Sequence, residues 1–269
     1  MTLTEIVPTN TTGWRAGTAN LFAHESRHWW RNRRWWVQLL LWAGVLNGML
    51  LGFLWIAAQA NESGLRLEEP AVGVAEVFPQ YLGLAILLST VGVVVLTQGV
   101  MLDERRGGML EWVLAMPVSR TGLVVAKFAA HALPILLVFV LVPWGGLYWV
   151  LSRELGSAWP IGEFLAVAAM VALILLFTLA LTMALGTWTT SRAAVVGVPI
   201  AAGLMYDAIH LFVPGWAGRL PFPWELTGVS VQVAAGKPPT SWLPVVATVA
   251  WIGVAVALTA WRFHREDVT

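Results

Sequence analysis

Long uncharged apolar runs alternate with short charged segments along the whole chain. Trp35 to Ala58 carries no charge, and neither do Val77 to Leu102, Phe128 to Ser152, Phe164 to Ser191 or Pro238 to Trp261. Another run begins at Ala193 and, before Arg219, is interrupted only by Asp207. Runs above ~18 apolar residues are long enough to be membrane spans, because ~20 residues at ~1.5 Å each cross a ~30 Å hydrocarbon core. Helices are required there, since lipid offers no partner for backbone N–H and C=O groups. Alternating strand patterns are absent, which speaks against a β-barrel. The pattern predicts an all-α membrane protein with six transmembrane helices, at about 36–58, 80–102, 122–151, 162–187, 193–213 and 242–261.

Composition agrees. Hydrophobic residues make up 58% and charged residues 12%, about half the charged share of a soluble domain. The distribution of charge sets the expected orientation. Twelve of the 16 Lys and Arg residues fall on one side if the N-terminus is cytosolic, and four (Arg66, Arg153, Arg219 and Lys237) on the other. Positive charge concentrates inside, so both termini are expected in the cytosol. There are no cysteines, which excludes a disulfide framework, a thiolate metal site and a cysteine nucleophile.

Residues 1–35 are expected to form a cytosolic tail and an amphipathic interfacial helix. Leu21, Phe22, Trp29, Trp35 and Trp36 alternate there with arginines, and tryptophan concentrates at bilayer surfaces. The six-span domain then covers 36–262, with a cytosolic tail at 263–269. Gly44, Gly48 and Gly52 recur every four residues on one face of the first span, a pattern that lets another helix approach closely. Asn47, Gln98 and His131 are expected to bridge helices rather than bind ligand. Residues 214–241 contain Pro214, Pro221, Pro223, Pro238 and Pro239, too many for one regular helix, yet remain apolar. Such a segment either dips back into the membrane under protein cover or lies as an amphipathic loop on the outer surface.

Enzyme motifs are missing. A phosphate loop needs Gly-Lys-Ser/Thr, but Lys127 precedes Phe128 and Lys237 precedes Pro238. No His-Glu-x-x-His or Gly-x-Ser-x-Gly occurs. The positive signal is the charged segment 103–120 between the second and third runs. Gly107-Gly108 breaks the incoming helix, and Leu110, Val113, Leu114 and Pro117 form an apolar edge away from Glu104 and Glu111. A short surface helix of this kind can seat in a groove of a cytosolic partner.

That segment resembles the signature of ABC-2-type permeases, the membrane subunits of one class of ATP-binding-cassette transporters. Glu104, Arg105, Gly108, Leu110, Glu111, Pro117, Val118, Ser119, Arg120 and Lys127 match the family pattern; Arg106 and Met109 depart from it. The resemblance implies a cytosolic coupling helix between spans two and three, on which a separate ATPase docks. It implies a partner ABC ATPase that binds ATP and Mg, no cofactor in this chain, and a second permease copy or homologue. It further implies a path lined by spans two and five and capped by the broken segment. Lipid bilayer is the expected surroundings, and no nucleic acid is expected. An exporter is favoured over an importer, since no docking domain for a periplasmic binding protein is evident. The alternative is an ABC-type membrane scaffold or mechanical transmitter that moves no substrate itself.

Asp207 and His210 lie three apart on the fifth span, hence on one helix face. A charge inside a span marks a functional candidate, here a translocation path or gate. The other reading is a wetted structural carboxylate near the outer end of that helix, close to Pro214.

Overall fold

The computed structural model describes residues 17–62, 74–106, 119–206 and 221–265. These residues are helical with short connections, and none of them forms a strand. Helix α1 is Thr18–Arg31, α2 Arg34–Glu62, α3 Val74–Thr97 and α4 Gly99–Arg106. Helix α5 is Arg120–Leu136, followed by a π turn at Leu137–Leu141 and then α6, Val142–Glu154. Helix α7 is Ile161–Trp188, α8 Arg192–Leu204, α9 Glu225–Ala234 and α10 Leu243–Arg265.

Among the described residues, five stretches are long and apolar enough to cross a membrane: Trp35–Glu62, Val77–Asp103, Arg120–Glu154, Ile161–Trp188 and Leu243–Arg265. They overlie five of the six expected spans, each a few residues longer than the span expected. The expected fifth span, 193–213, is described only to residue 206. Its helix α8 has 13 residues, about 20 Å at ~1.5 Å each, which is short of a full crossing.

The third span is continuous but not uniform. Pro143 has no N–H to offer the carbonyl one turn earlier, and the helix widens into π geometry just before it, where Val142 N–H reaches Leu137 O. Asn47 Nδ2 of α2 donates to Pro143 O at 3.2 Å, so a half-buried amide stitches the first span to this irregular turn.

Helix α7 is the centre of the bundle, touching α3, α4, α5, α8, α9 and α10. Along it Val167, Ile174, Leu175, Leu179 and Ala180 are fully buried. Helix α2 is peripheral: only 17% of its apolar window is buried, against 56% for α7. Gly44, Gly48 and Gly52 have nothing within 4 Å of where a Cβ would stand. Among the described residues they therefore pack against no neighbouring helix. Close approach occurs at other glycines. A Cβ at Gly92 would meet the Trp42 and Phe139 rings at 2.5 and 2.6 Å, and one at Gly186 would meet Met101 Cβ at 3.0 Å. Four-residue spacing finds a smooth face but not the side of the helix that carries the neighbour.

The broken segment enters the bundle. Trp224 packs edge-on against Phe177, ring centroids 5.4 Å apart, just past the midpoint of the 28-residue α7. That is about 24 Å along α7 from its start, at ~1.5 Å per residue. Helix α9 then climbs back along α7: Ser230 Oγ lies 3.4 Å from Met170 Sδ, and Gly236 sits near Glu163 in the first turn. Leu226, Val229, Ser230 and Val233 are its buried face. Trp251 Nε1 of α10 holds the approach by donating to Pro221 O at 3.1 Å.

Candidate functional site

The segment singled out by sequence is visible through its flanks. Residues 107–118 lie outside the described residues, and with them Gly108, Leu110, Glu111 and Pro117. Glu104 and Arg105 are in the last turn of α4. Ser119 starts α5 as its N-cap, its hydroxyl accepting the Gly122 N–H at 2.9 Å. Ser is well suited there because its oxygen satisfies one of the orphan amide donors of the first turn.

Around these flanks the helix ends are tied by charge. Arg120 Nη1 donates to Phe263 O at 2.8 Å and His264 O at 2.9 Å, so it caps the carbonyl end of α10, where a cation is favoured. Arg192 of α8 pairs with Asp103 of α4 at 2.6 Å. Ser191 caps α8 by accepting the Ala194 N–H. On the outside of the same end Trp188 and Trp261 stack, with Arg265 4.2 Å above the Trp261 ring.

Lys127 faces inward. It is 3% exposed, and its Nζ donates to Glu25 Oε1 of α1 at 2.7 Å. His131, one turn further along α5, receives Trp29 of α1 edge-on at 6.0 Å. Burial pushes the Glu25 carboxyl up, but the Lys127 charge and hydrogen bond, helped by His131 and His24, bring it below the usual carboxylate range. The expected interfacial helix is thus clamped to the third span by a buried ion pair. Lys127, which the family pattern groups with the coupling segment, spends its charge inside this chain.

A second feature lies halfway along the bundle, where the tip of the broken segment meets α3 and α8. A cavity of about 420 Å³ is lined by Thr90 of α3, Gly203 and Tyr206 at the end of α8, and Trp224, Glu225 and Thr227 at the start of α9. Glu225 Oε1 accepts the Phe222 N–H at 3.4 Å, closing the turn that begins α9. The Thr90 hydroxyl is buried without a hydrogen-bond partner among the described residues. Asp207 and His210 follow Tyr206 directly but lie outside the described residues.

Sequence reading missed Glu25, Asp103, Arg192, Thr90 and Glu225. Two of them carried a signal. Glu25 is an acid inside a run of arginines, and Glu225 is the one carboxylate between Pro214 and Ser241. Thr90 carried none, because an unbonded hydroxyl on an apolar helix is legible only once its neighbours are placed.

Residues 19–219 match the family described as ABC-2 family transporter protein, which takes in the first span, the charged segment and α8. A search of curated proteins found no match to the chain.

Proposed function

The chain belongs to the ABC-2 transporter family, an integral membrane transport component, and from that premise we propose that it is the permease subunit of an exporter. In this proposal ATP and Mg are bound by a separate ATPase that docks on the 103–120 segment. Two permeases, identical or homologous, form the path between them. The chain crosses the membrane six times, with both termini in the cytosol of a prokaryotic inner membrane.

One observation carries the coupling role. The segment's two flanks are tied directly to other spans, through Asp103 to Arg192 of α8 and through Arg120 to the end of α10. A pull on the segment would reach α3, α5, α8 and α10 together. A loop without such ties would absorb the motion. The decisive test uses the cysteine-free chain. A cysteine introduced at Glu111 should cross-link to the co-expressed ATPase, and one at Trp242, near the opposite end, should not. Equal cross-linking at both positions, or none at 111, would remove the docking assignment.

We assign Asp207 a place near the outer gate of the path, with His210 on the same face. A carboxylate there is tolerable only against protein or water, never lipid tails. Cysteine at 207 should react with a water-soluble thiol reagent added from outside. Labelling by lipid-soluble reagents alone would make Asp207 merely structural.

A further inference from the structure

Where α1 meets α5, basic side chains do two different things. Arg120, Lys127 and Arg192 are engaged inside the chain, on the α10 carbonyls, Glu25 and Asp103. Arg27 and Arg31 of α1, and Arg33 in the turn to α2, stand exposed. Their spacing puts Arg27 and Arg31 on one face of α1, together with the exposed Asn20. The other face is half-buried at Leu21, Phe22, Glu25 and Trp29. It holds α5 through the Glu25–Lys127 pair and the contact of Trp29 with His131.

Three tryptophans fix the level of this surface. Trp30 meets Trp35 edge-on with ring centroids 5.2 Å apart, and Trp35 stacks on Trp36 at 4.1 Å. Trp30 is 40% and Trp36 54% exposed. The first stretch able to cross a membrane begins at Trp35. Arg31 and Arg33 therefore lie at headgroup level, where tryptophan rings are also favoured, and Arg27 lies one turn further along α1. From Thr18 to Trp36 the chain carries four arginines and one acid, Glu25, which Lys127 holds. That excess is complementary to anionic lipid, and a guanidinium fork suits a lipid phosphate. A zwitterionic headgroup offers the same phosphate but brings its own cation, so net charge favours the anionic lipid.

We propose that α1 and the turn to α2 form a binding surface for anionic phospholipids, which gather at Arg27, Arg31 and Arg33. The Glu25–Lys127 pair passes their hold on α1 to α5, which begins at the edge of the 103–120 segment. Binding needs only this surface; that bound lipid supports coupled ATP turnover rests on the docking proposed above.

The test uses the full chain in lipid nanodiscs. The chain has no cysteine of its own, so one introduced at Asn20 can carry an uncharged bimane fluorophore, and in a second preparation one at Trp242 does. Phosphatidylcholine discs contain equal shares of either phosphatidylglycerol or phosphatidylcholine with a nitroxide on the acyl chain. At Asn20 the labelled phosphatidylglycerol should quench at least twofold more than the labelled phosphatidylcholine. At Trp242, near the opposite end, the two should quench equally. The excess at Asn20 should vanish when Arg27→Gln, Arg31→Gln and Arg33→Gln are combined, and at ~1 M salt, where the screening length falls to about 3 Å. Thermal unfolding checks that the triple variant is folded, and the milder pair Arg31→Gln with Arg33→Gln should lose at least half of the excess. Equal quenching at Asn20, the same excess at Trp242, or an excess that survives in the folded triple variant would overturn the surface. In the assembled complex, phosphatidylglycerol should raise ATP turnover at least twofold over phosphatidylcholine, and the triple variant should not respond. Enrichment without that rise in an active complex would keep the surface and remove its part in coupling. Enrichment in a chain that supports no ATP turnover in either lipid would keep the surface and overturn the permease reading.

Discussion

At the end of the bundle where α4, α5, α8 and α10 meet, helices are joined by charge: Arg120 on the α10 carbonyls, Arg192 on Asp103, and nearby Lys127 on Glu25. At the opposite end, among the described residues, no ion pair joins the helices and the contacts centre on an aromatic ring. Trp159 is gripped edge-on by Phe78 and Phe164, its carbonyl accepts the Tyr148 hydroxyl, and its N–H donates to Ser152 Oγ. Charged hydrogen bonds have defined geometry and pass displacement on, whereas ring contacts tolerate sliding. The difference suggests that motion is received at the first end and accommodated at the second, with the cavity between them.

Removing the aromatic plug should have the largest effect. Trp159→Ala takes a ring that is 5% exposed out of its socket and should cost about 3–5 kcal/mol, read as a lowered Tm in detergent. If the unfolding temperature stays at the wild-type value, this end is not held by Trp159.

At the charged end, Lys127→Ala leaves Glu25 without its partner in a largely buried place. The expected loss is about 2–3 kcal/mol, below the full range for buried pairs because Glu25 keeps 21% of its side-chain exposure. Pairing Lys127→Met with Glu25→Gln should restore most of it. The depressed Glu25 carboxyl gives the pair a pH signature. Its stabilisation is complete above the ordinary carboxylate range and is lost as pH falls through the lowered folded-state value. Protection of α1 amides from hydrogen exchange should therefore weaken on acidification in wild type but not in the double variant.

Between the two ends, packing can be probed by one substitution at two glycines. Gly92→Leu drives a side chain into Trp42 and Phe139 and should destabilise by ~1–3 kcal/mol or more. Gly48→Leu meets nothing within 4 Å and should leave the isolated chain unchanged. Equal damage from both in a monomeric preparation would mean the first span is misplaced.

The smallest effect on stability is expected at the outermost charges. Arg120→Ala removes two bonds to the α10 carbonyls, about 1–2 kcal/mol. Arg192→Ala breaks a pair that is half exposed on both sides, and its loss should stay below ~1 kcal/mol. Both should nonetheless lower coupled ATP turnover more than stability. A fall in turnover no larger than the change in folding would count against a transmitting role.

Much of this architecture is readable from the chain. Apolar run length locates five spans because the membrane imposes one length and one geometry on every crossing. Tryptophan and arginine clustering marks α1. Three features escape such reasoning. The glycines chosen by spacing lie on an open face, because periodicity defines a face without saying what it meets. The ion pair of Glu25 with Lys127 joins residues 102 positions apart, and no local pattern predicts it. The broken segment leaves two geometries open in sequence; its approach to Phe177 follows from tertiary packing of Trp224, Leu226 and Val229, on a short helix bounded by the prolines on either side.

The central claim is that a separate ATPase drives this chain through the 103–120 segment, and it is tested most directly by ATP turnover in proteoliposomes. The chain alone should hydrolyse no ATP. Reconstituted with its ATPase, the complex should turn over ATP, and Glu111→Lys should reduce that turnover at least tenfold while the complex still assembles and keeps its Tm. ATP hydrolysis by the chain alone, or wild-type turnover in a correctly assembled Glu111→Lys complex, would contradict the account.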